Sequence, residues 1–461
     1  EAFEHDDITY EEAWEDEELR EELADDMLES LGFVMEPKYL FPNVIKMVNA
    51  DTFTIDYMEE IIASITDSTI GRDSEEDFKG LFEDMDLKSS KLGRELKQRG
   101  KLIGKILKQI DSISFEMGGT DVDILGTAYI TLIGNFASTA GKKGGEFYTP
   151  TNMSKLVARL ATVGLTDVLS AFDCACGSGS LLLQVGQFAK VRKYYGQEKV
   201  SSTYNLARMN MILHDIPYQN FNIINVDTLE NDREFENERF TVQVANPPYS
   251  TKWSADPKFM EDERYSPYGK LAPSSKADFA FVQHMIHHMD EGDSRIAVLL
   301  PHGVLFRGAA EETIRKYIIK DLNYLDAVIG LPANCFQGTG IPVCCLVFKK
   351  ERNGNSDNIF FIDASKEFVP GKAMNYITDE HIDKIVNSYT ERKDTDKYCH
   401  KAYMDEIEKN DYNLNIPRYV DTFEVEEPVD IAANKQKLVE LEAKEKVALE
   451  KVKAFLTELR L

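Results

Sequence analysis

The stretch AFDCACGSGSLLL, residues 171–183, decides the fold of this chain. An apolar run ends at Asp173, Gly177 and Gly179 follow in a short turn, and three leucines begin an apolar segment of helical character. Glycines permit a tight turn and a close approach of a ligand to the backbone. The stretch therefore predicts a strand, a glycine-rich turn and a helix. A lone GxG motif, however, is as often structural as it is a binding site.

The residues after about 141 repeat this alternation of short β-rich runs with helical stretches. The runs are VLSAFD, KYYGQE, FNIINVD, FTVQVANPP, RIAVLLP, LDAVIGLP and IPVCCLVFKK. Alternation of this kind is typical of an α/β fold with a mostly parallel sheet and crossover helices. We predict a helical N-terminal domain over residues 1–140, an α/β domain over residues 141–425 and a C-terminal helix over residues 426–461.

Acidic residues stand at the ends of the next two predicted strands. Glu198 follows Gly179 by 19 positions (198 − 179) at the end of KYYGQE, where a carboxylate can accept hydrogen bonds from a ribose diol. Asp227 ends the following run, where it can accept from an exocyclic amine. Each acid alone is more often a surface residue. A glycine turn and two acids at three successive strand ends together indicate a nucleotide-like cofactor.

The fourth strand end is Asn246-Pro247-Pro248-Tyr249. The prolines fix φ, so this segment continues neither as strand nor as helix. The Asn246 side-chain oxygen and the Pro247 carbonyl can accept both hydrogens of one planar amino group, and Tyr249 can offer a flat face to an unstacked base. The sequence predicts a clamp that makes a poor amine nucleophile competent. The alternative is a proline-rich turn with Tyr249 packed in the core.

The net charge of −27 argues against tight binding of nucleic acid through the overall field of the protein. Residues 1–30 alone carry 15 acidic residues and one basic residue, and so leave −13 for the rest (−27 + 14). Residues 88–108 reverse the sign, with eight Lys/Arg against Glu95. We interpret them as the solvated side of an amphipathic helix, the alternative being a surface that faces phosphate or a partner.

The six cysteines include no CxxC pair, and no apolar run is long enough to span a bilayer, so we expect a reducing cytoplasm and no membrane. Cys174 and Cys176 lack further Cys/His in ligand spacing, and we expect no metal site. In the last segment, apolar residues follow a heptad-like pattern that Glu445 interrupts, typical either of a helix docked on its own domain or of a partner-binding coiled coil. The positions are Leu438, Leu441, Ala448, Val452, Phe455 and Leu459.

The NPPY and CGSGS motifs together resemble the S-adenosylmethionine-dependent methyltransferases that modify adenine N6 in DNA. More specifically, the chain resembles the modification subunit of type I restriction–modification systems. The matching stretches lie in order within residues 123–421: DILGTAYITLIGNFASTAGKKGGEFYTP, DCACGSGSLLL, NVDTL, ANPPYS, SSKADFAFVQHMIHHM, RIAVLLPHGVLFRG, LPANCFQGTGIPVCCLVFKK and YNLNIPRYVD. Residues 1–120 resemble the helical domain of this family only loosely.

The resemblance implies a Rossmann-like methyltransferase domain that binds S-adenosylmethionine through the GEFYTP loop, the glycine turn and the two acids. One departure is Cys174, because the family usually has Asp-Pro where this chain has Asp173-Cys174, and loss of the proline could loosen the turn. The implied cofactor-binding residues are Glu146, Phe147, Tyr148, Thr149, Pro150, Thr151, Asp173, Gly177, Ser178, Gly179, Ser180, Glu198 and Asp227; the implied catalytic residues are Asn246, Pro247, Pro248 and Tyr249.

The resemblance also implies partners, because no separate recognition domain is evident in the chain. They are double-stranded DNA, a specificity subunit with two copies of this chain per specificity subunit, and in some systems a restriction subunit. The sulfonium of the cofactor is already activated, so we expect no tuned histidine base and interpret His284, His287 and His288 as structural. We expect the long loop 250–277, with Trp253, Tyr265, Tyr268 and Lys276, to close over DNA rather than merely connect two elements.

Three alternative functions remain open from the sequence. NPPY also occurs in methyltransferases that act on protein glutamine or on cytosine N4, where the same amine problem arises. A catalytically inert scaffold with a methyltransferase fold is a second alternative, although the complete site argues against it. A nicotinamide dehydrogenase would use a similar glycine turn and acid but does not explain NPPY.

Overall fold

The described N-terminal part of the chain is helical, and three of its helices begin at side-chain caps. The computed structural model describes residues 8–113, 124–140, 148–336, 339–422 and 431–458. Thr9, Asp16 and Thr54 each cap a helix by accepting backbone N–H groups of the first turn. The helices are α1 (Tyr10–Glu15), α2 (Glu17–Ser30), α3 (Phe41–Asn49), α4 (Ile55–Ser68), α5 (Glu75–Phe78), α6 (Leu96–Asp111) and α7 (Ile124–Ala140).

Strands and helices then alternate along the chain, as the β-rich runs predict. The elements are α8 (Thr151–Thr162), β1 (Asp167–Asp173), α9 (Ser180–Val185), β2 (Lys190–Glu198), α10 (Ser201–Leu213), β3 (Phe221–Asn225), β4 (Val242–Ala245), α11 (Asp278–His287), β5 (Arg295–Pro301), α12 (Ala310–Lys316), β6 (Leu325–Gly330), β7 (Val343–Lys349), β8 (Asn358–Asp363), α13 (Asp379–Glu391), β9 (Cys399–Tyr403), α14 (Met404–Lys409) and α15 (Ile431–Glu458).

The nine strands form one sheet in the order β3-β2-β1-β4-β5-β7-β6-β8-β9. β3, β2, β1, β4 and β5 are mutually parallel neighbours, β6 and β8 are parallel, and β7 and β9 run antiparallel to their neighbours. The prediction of an α/β fold with a mostly parallel sheet, a helical N-terminal region and a C-terminal helix is confirmed. Because β1 lies between β2 and β4, the carboxyl ends of these three strands meet at one edge.

The sheet is buried on both faces, which explains why its strands are almost continuously apolar. In β5, Ile296 and Val298 belong to the core cluster with helix α11, whereas Ala297 and Leu299 belong to the cluster with α8 and α9. Burying each of these larger side chains contributes about 1.5–3 kcal/mol. With both faces covered, the strand ends are the natural place for a ligand.

The N-terminal helices are held to the sheet domain by Arg208 of α10, which is 1% exposed. Its guanidinium donates to the carbonyl oxygens of Glu76, Asp77 and Lys79 at the end of α5, at 2.9, 2.9 and 3.0 Å, and to Asn205 Oδ1 at 2.7 Å. The last carbonyls of a helix lack partners within the helix. Arg208 donates hydrogen bonds to these carbonyls. Residues 1–420 form one compact unit.

The basic segment 88–108 runs into helix α6. Gly100 and Gly104 of α6 are buried on the side that meets Phe53 and Val48, whereas Lys97, Lys101, Lys105 and Lys108 are exposed. Leu96, Leu102, Ile106 and Ile110 of the same helix are also 38–51% exposed, so its side chains do not divide into one buried apolar face and one solvated basic face. Among the described residues, no helix has both the length and the apolar character that crossing a membrane requires.

Residues 421–461 form a second unit, in which α15 is a 28-residue helix. Of the heptad positions, Leu438, Leu441, Val452 and Phe455 are 54–63% exposed on this helix. Leu459 lies outside the described residues. The domain boundaries at 140 and 425 stay predictions.

We expect Arg208→Ala to lower the free energy of unfolding by about 2–4 kcal/mol, because three helix-end carbonyls lose their buried donor. Limited proteolysis should cut first within the N-terminal helices, and thermal unfolding should report the loss. Arg192→Ala is the matched control, since Arg192 is exposed on β2. Equal stability of the two variants would contradict the anchoring role.

Candidate active site

The glycine turn has the backbone conformation that its sequence predicts. Gly177 and Gly179 have φ of +55° and +76°, and Gly179 caps the start of α9. A Cβ at Gly179 would lie 3.3 Å from the Met211 methyl and 3.6 Å from Ala207, both on α10. A larger side chain there is both strained and crowded.

The turn is held from two sides without the proline that the family usually has. Asn210 of α10 donates to the Ser178 carbonyl at 2.8 Å. The Thr228 hydroxyl donates to the carbonyl of Cys174 at 2.6 Å, and Cys174 is fully buried. The turn is therefore fixed by side chains of α10 and of the loop after β3, where a proline would have stiffened it directly.

Glu198, at the end of β2, binds the backbone of the turn. Its Oε2 accepts from the Gly177 N–H at 3.1 Å and its Oε1 from the Val200 N–H at 2.7 Å. Burial raises the pKa of Glu198, and hydrogen bonds from backbone N–H groups act in the opposite direction. Each carboxylate oxygen can accept a further hydrogen bond, so Glu198 keeps acceptor capacity for the predicted ribose diol.

Asp227 lies beyond the end of β3 and pairs with an exposed lysine. The distance from Lys199 Nζ to Asp227 Oδ2 is 2.7 Å, and Leu229 N–H donates to Asp227 Oδ1 at 3.2 Å. The Lys199 side chain is 72% exposed, so this ion pair contributes little stability and can open at small cost.

Asp173, the last residue of β1, is 1% exposed. Its Oδ1 accepts from the Ala175 N–H at 2.9 Å. Burial raises the pKa of Asp173 from 3.8 to about 8, and the nearby Glu198 acts in the same direction. At neutral pH this carboxyl is therefore mostly protonated, and a cation placed beside it would favour its ionised form.

At the fourth strand end, the Asn246 side chain is hydrogen-bonded at both of its polar atoms. Its Nδ2 donates to Thr149 Oγ1 at 3.0 Å, and its Oδ1 accepts from the Tyr249 hydroxyl at 2.6 Å. The Tyr249 ring is half-buried and packs edge-on against Phe336, with 6.0 Å between ring centroids. In this side-chain position Tyr249 packs against the core, as the alternative interpretation expects, and does not present a free face to a base.

Residues at the carboxyl ends of β1 and β4 line a small pocket that is partly open to solvent. It brings Asn246 together with the glycine turn and with the residues that precede α8. The lining residues are Tyr148, Thr149, Asp173, Ala175, Cys176, Gly177, Ser178, Ser180, Leu181 and Asn246.

Other predicted site residues lie around this pocket rather than in its lining. Pro150 and Thr151 begin α8, where the Tyr148 and Thr151 hydroxyls lie 3.1 Å apart. Glu198 reaches the pocket only through Gly177, and Asp227 lies at the next strand end. Glu146 and Phe147 lie outside the described residues.

Sequence reasoning assigned no role to Phe336 or Asn210. Phe336 begins the FQGTGIP stretch, which contributed to the family resemblance, so the stretch was noticed although no role was assigned to Phe336. Asn210 is a single asparagine in a helix, and only the fold reveals that it holds Ser178.

The histidines of α11 belong to a buried hydrogen-bond network. His284 Nδ1 lies 3.2 Å from Arg264 Nη1, and its Nε2 lies 3.0 Å from Gln197 Oε1. His288 Nε2 lies 2.9 Å from Asp232 Oδ2. Burial lowers the pKa of His284 well below its usual value. Asp232, His284 and His288 are close enough to hold a metal ion, but both His284 nitrogens are already used.

The loop 250–277 carries its large aromatic side chains inward, although its sequence is polar. Trp253, Tyr265 and Tyr268 are buried, and the Trp253 and Phe259 rings stack with 5.5 Å between their centroids. Arg264 fixes the loop to the carbonyl of Thr228 at 2.7 Å. The three rings pack into the core cluster that also contains Phe172 and Val298 of the sheet. The expectation that the loop closes over DNA stays a prediction.

Comparisons with known proteins agree on one family. The model of the family described as N-6 DNA Methylase matches residues 120–428. The chain is similar to a type I restriction enzyme methylase subunit, MpnII, of Mycoplasma pneumoniae, at 40% identity over 98% of this chain and 87% of the relative. It is also similar to the MjaVIII methylase subunit of Methanocaldococcus jannaschii, at 35% identity over 73% of this chain and 60% of that relative.

A solved structure gives the same result. The crystal structure of a type I restriction–modification methyltransferase subunit from Streptococcus thermophilus superimposes with a TM-score of 0.81. The two sequences are 43% identical, and the match covers 89% of this chain and 86% of that one.

We expect Gly179→Val to weaken S-adenosylmethionine binding at least about tenfold, because the side chain crowds Met211 and strains a positive φ. Gly164→Val is the matched control. Gly164 has a φ of +75° with nothing within 4 Å of an added Cβ, so it carries the strain without the crowding. Calorimetric titration should give normal affinity for this control. Equal affinities for the two variants would place the cofactor elsewhere.

The raised pKa of Asp173 predicts a pH-dependent affinity for the cationic cofactor. Below about pH 8 the free carboxyl is protonated, so binding must release a proton and affinity should rise with pH. We expect a gain of about fiftyfold from pH 6 to 8 and little further gain above pH 9. Titrations in buffers of different ionisation enthalpy measure the released proton. Asp173→Asn should flatten the dependence, and an unchanged slope in that variant would assign the proton to another group.

Proposed function

The chain belongs to the N-6 DNA methylase family, and from this premise we propose that it works as the modification subunit of a type I restriction–modification complex. It is an S-adenosylmethionine-dependent methyltransferase, and its family methylates adenine N6 in DNA. The resemblance drawn from the sequence motifs is confirmed. The roles of individual residues, given below, remain proposals.

The observation that carries the proposal is that Asn246 and the glycine turn line one pocket. β1 and β4 are parallel neighbours, with Phe172 opposite Gln243. Their carboxyl ends therefore place a cofactor-binding turn beside an amide that can hold an amine. Methyl transfer requires this adjacency, because the methyl donor and its acceptor must be in contact.

The pocket residues fit the cofactor by their chemistry. A buried Asp173 suits a cation, Glu198 suits a diol, and the positive-φ glycines leave room for close approach of a ligand to the backbone. When bound, S-adenosylmethionine supplies a methyl group that its sulfonium has already activated. We propose that the turn, Asp173, Glu198 and Asp227 hold it, together with the segment around Thr149.

The contribution of the protein to the chemistry lies at the amine. Asn246 Oδ1 and the Pro247 carbonyl oxygen would accept the two hydrogens of the target amino group and so free its lone pair. The methylated nitrogen is acidic and loses its proton without a dedicated base. The lowered pKa of His284 and its engaged nitrogens agree with a structural role for that histidine.

The net charge of the chain bears on the partners that it would need to bind DNA. A net charge of −27 opposes duplex binding through the overall field, and phosphate contacts alone carry no sequence information. We propose that a specificity subunit reads the sequence, that two copies of this chain bind it in the cytoplasm, and that a restriction subunit joins in some systems. The exposed apolar residues of α15, among them Leu438 and Phe455, are the proposed docking surface.

We expect the chain to transfer labelled methyl to unmethylated DNA sequence-selectively only together with the specificity subunit. Deleting residues 430–461 should weaken assembly, measured by light scattering, while cofactor affinity stays normal. Asn246→Ala should nearly abolish transfer in the complex, with cofactor binding largely intact, because the amine loses its acceptor. Sequence-selective methylation by the isolated chain would refute the partner assignment.

The same assay separates the alternatives. Label on protein glutamine or on cytosine would favour the related methyltransferases. Cofactor binding without transfer to any substrate would favour an inert scaffold, and binding of a nicotinamide cofactor in place of S-adenosylmethionine would favour a dehydrogenase.

A further inference from the structure

Two hydroxyl groups from different parts of the chain hold the Asn246 side chain. Thr149 precedes α8, and Tyr249 lies three residues after Asn246. The Nδ2 to Thr149 Oγ1 distance is 3.0 Å, and the Tyr249 hydroxyl to Oδ1 distance is 2.6 Å. All the hydrogen-bonding atoms of the amide that would bind a target amine are therefore turned toward identified partners.

The two distances agree with one orientation of the amide. Bonds of the N–H···O type centre near 2.9–3.0 Å, whereas O–H···O bonds centre near 2.7–2.8 Å and extend shorter. The longer contact fits the amide N–H donating to Thr149, and the shorter fits the phenol donating to the amide oxygen. A phenol is also more acidic than an aliphatic hydroxyl and so is the better donor.

Thr149 is placed firmly enough to act as a fixed reference for this amide. It is 8% exposed. Its carbonyl accepts from the Ser154 hydroxyl at 3.3 Å, and the next carbonyl, of Pro150, accepts from the Ser154 N–H at 3.0 Å. The first turn of α8 thus holds Thr149 at the wall shared by the glycine turn and Asn246.

Tyr249 is held less completely. Its ring is half-buried against Phe336. Its hydroxyl donates to Asn246 Oδ1, the oxygen to which the target amine would also donate. The amide oxygen has two lone pairs and can accept the amine N–H beside the phenol, but stacking of the ring on the target base requires the ring to leave its contact with Phe336, which takes the phenol away from this oxygen. The movement would uncover the ring face that the described side-chain position turns toward the core.

We propose that Thr149 is a positioning residue that fixes the Asn246 amide with its oxygen toward the target, and that the Tyr249 hydroxyl is a resident stand-in which binding of the target displaces. This inference rests on the proposed function. In this proposal, Thr149 holds the Asn246 amide in one orientation throughout the reaction. The Tyr249 hydroxyl occupies the amide oxygen only until the target amine binds. Tyr249 thereby changes from a hydrogen-bond donor in the free enzyme to an aromatic surface in the complex with DNA.

The test uses the complex with the specificity subunit and a duplex substrate, with kcat, KM for DNA and cofactor affinity measured separately. Thr149→Val keeps the shape of the side chain but leaves the Asn246 N–H without an acceptor, so kcat should fall about tenfold. Thr149→Ser restores the hydroxyl and should return kcat to within about threefold of wild type. The Thr149 hydroxyl is here assigned to Asn246, and only the backbone of its segment to the cofactor, so cofactor affinity should stay within about threefold in both variants.

Tyr249→Phe removes the competing donor and keeps the ring. We expect kcat/KM for DNA to rise about threefold or more, whereas Tyr249→Ala, which also removes the ring, should lose most activity. A value for Tyr249→Phe that is unchanged or lower contradicts displacement. Equal kcat for Thr149→Val and Thr149→Ser, or a parallel loss of cofactor affinity, contradicts positioning. Absence of methylation by the wild-type complex would overturn the proposed function itself, which separates the two failures.

Discussion

The parallel pairing of β1 with β4 is the constraint on which the active site depends. The register sets Phe172 opposite Gln243, so the segments that leave these strands, the glycine turn and the NPPY stretch, start side by side. Helices bury both faces of the sheet, and neither segment can pass over a face. Each is confined to the strand ends, where every remaining part of the site then collects: Glu198 from one side, and the residues before α8 from above the turn.

The sequence was informative where backbone geometry depends on residue type, because glycine readily adopts positive φ and proline fixes φ. Positive φ at Gly177 and Gly179 and the strand break at Pro247 are backbone properties, and they were readable without tertiary information. The alternation of apolar runs likewise predicted seven of the strands. The sequence prediction left out β8 and β9, although the turn signal Asn353-Gly354 precedes NIFFID and could have marked β8. The resemblance extended the predictions to the cofactor and to the family.

Side-chain direction was much harder to predict than backbone position. Tyr249 can face a ligand or the core with the same backbone, and the choice is made by Phe336, which is remote in sequence. Trp253, Tyr265 and Tyr268 were read as residues of a segment closing over DNA because they sit in a polar loop. They are buried because the loop folds its aromatic side chains into the core cluster between the sheet and α11. Asp173 shows the same limit for charge, since its raised pKa depends on burial that composition does not reveal.

Helix α10 contacts both the N-terminal helices and the glycine turn. Arg208 grips the end of α5, and two residues further on Asn210 holds the carbonyl of Ser178 in the glycine turn. The two contacts are made by neighbouring residues of one continuous helix. A force applied to the N-terminal helices would reach the cofactor turn through a single rigid body. One helix therefore positions both the end of α5 and the Ser178 carbonyl of the glycine turn.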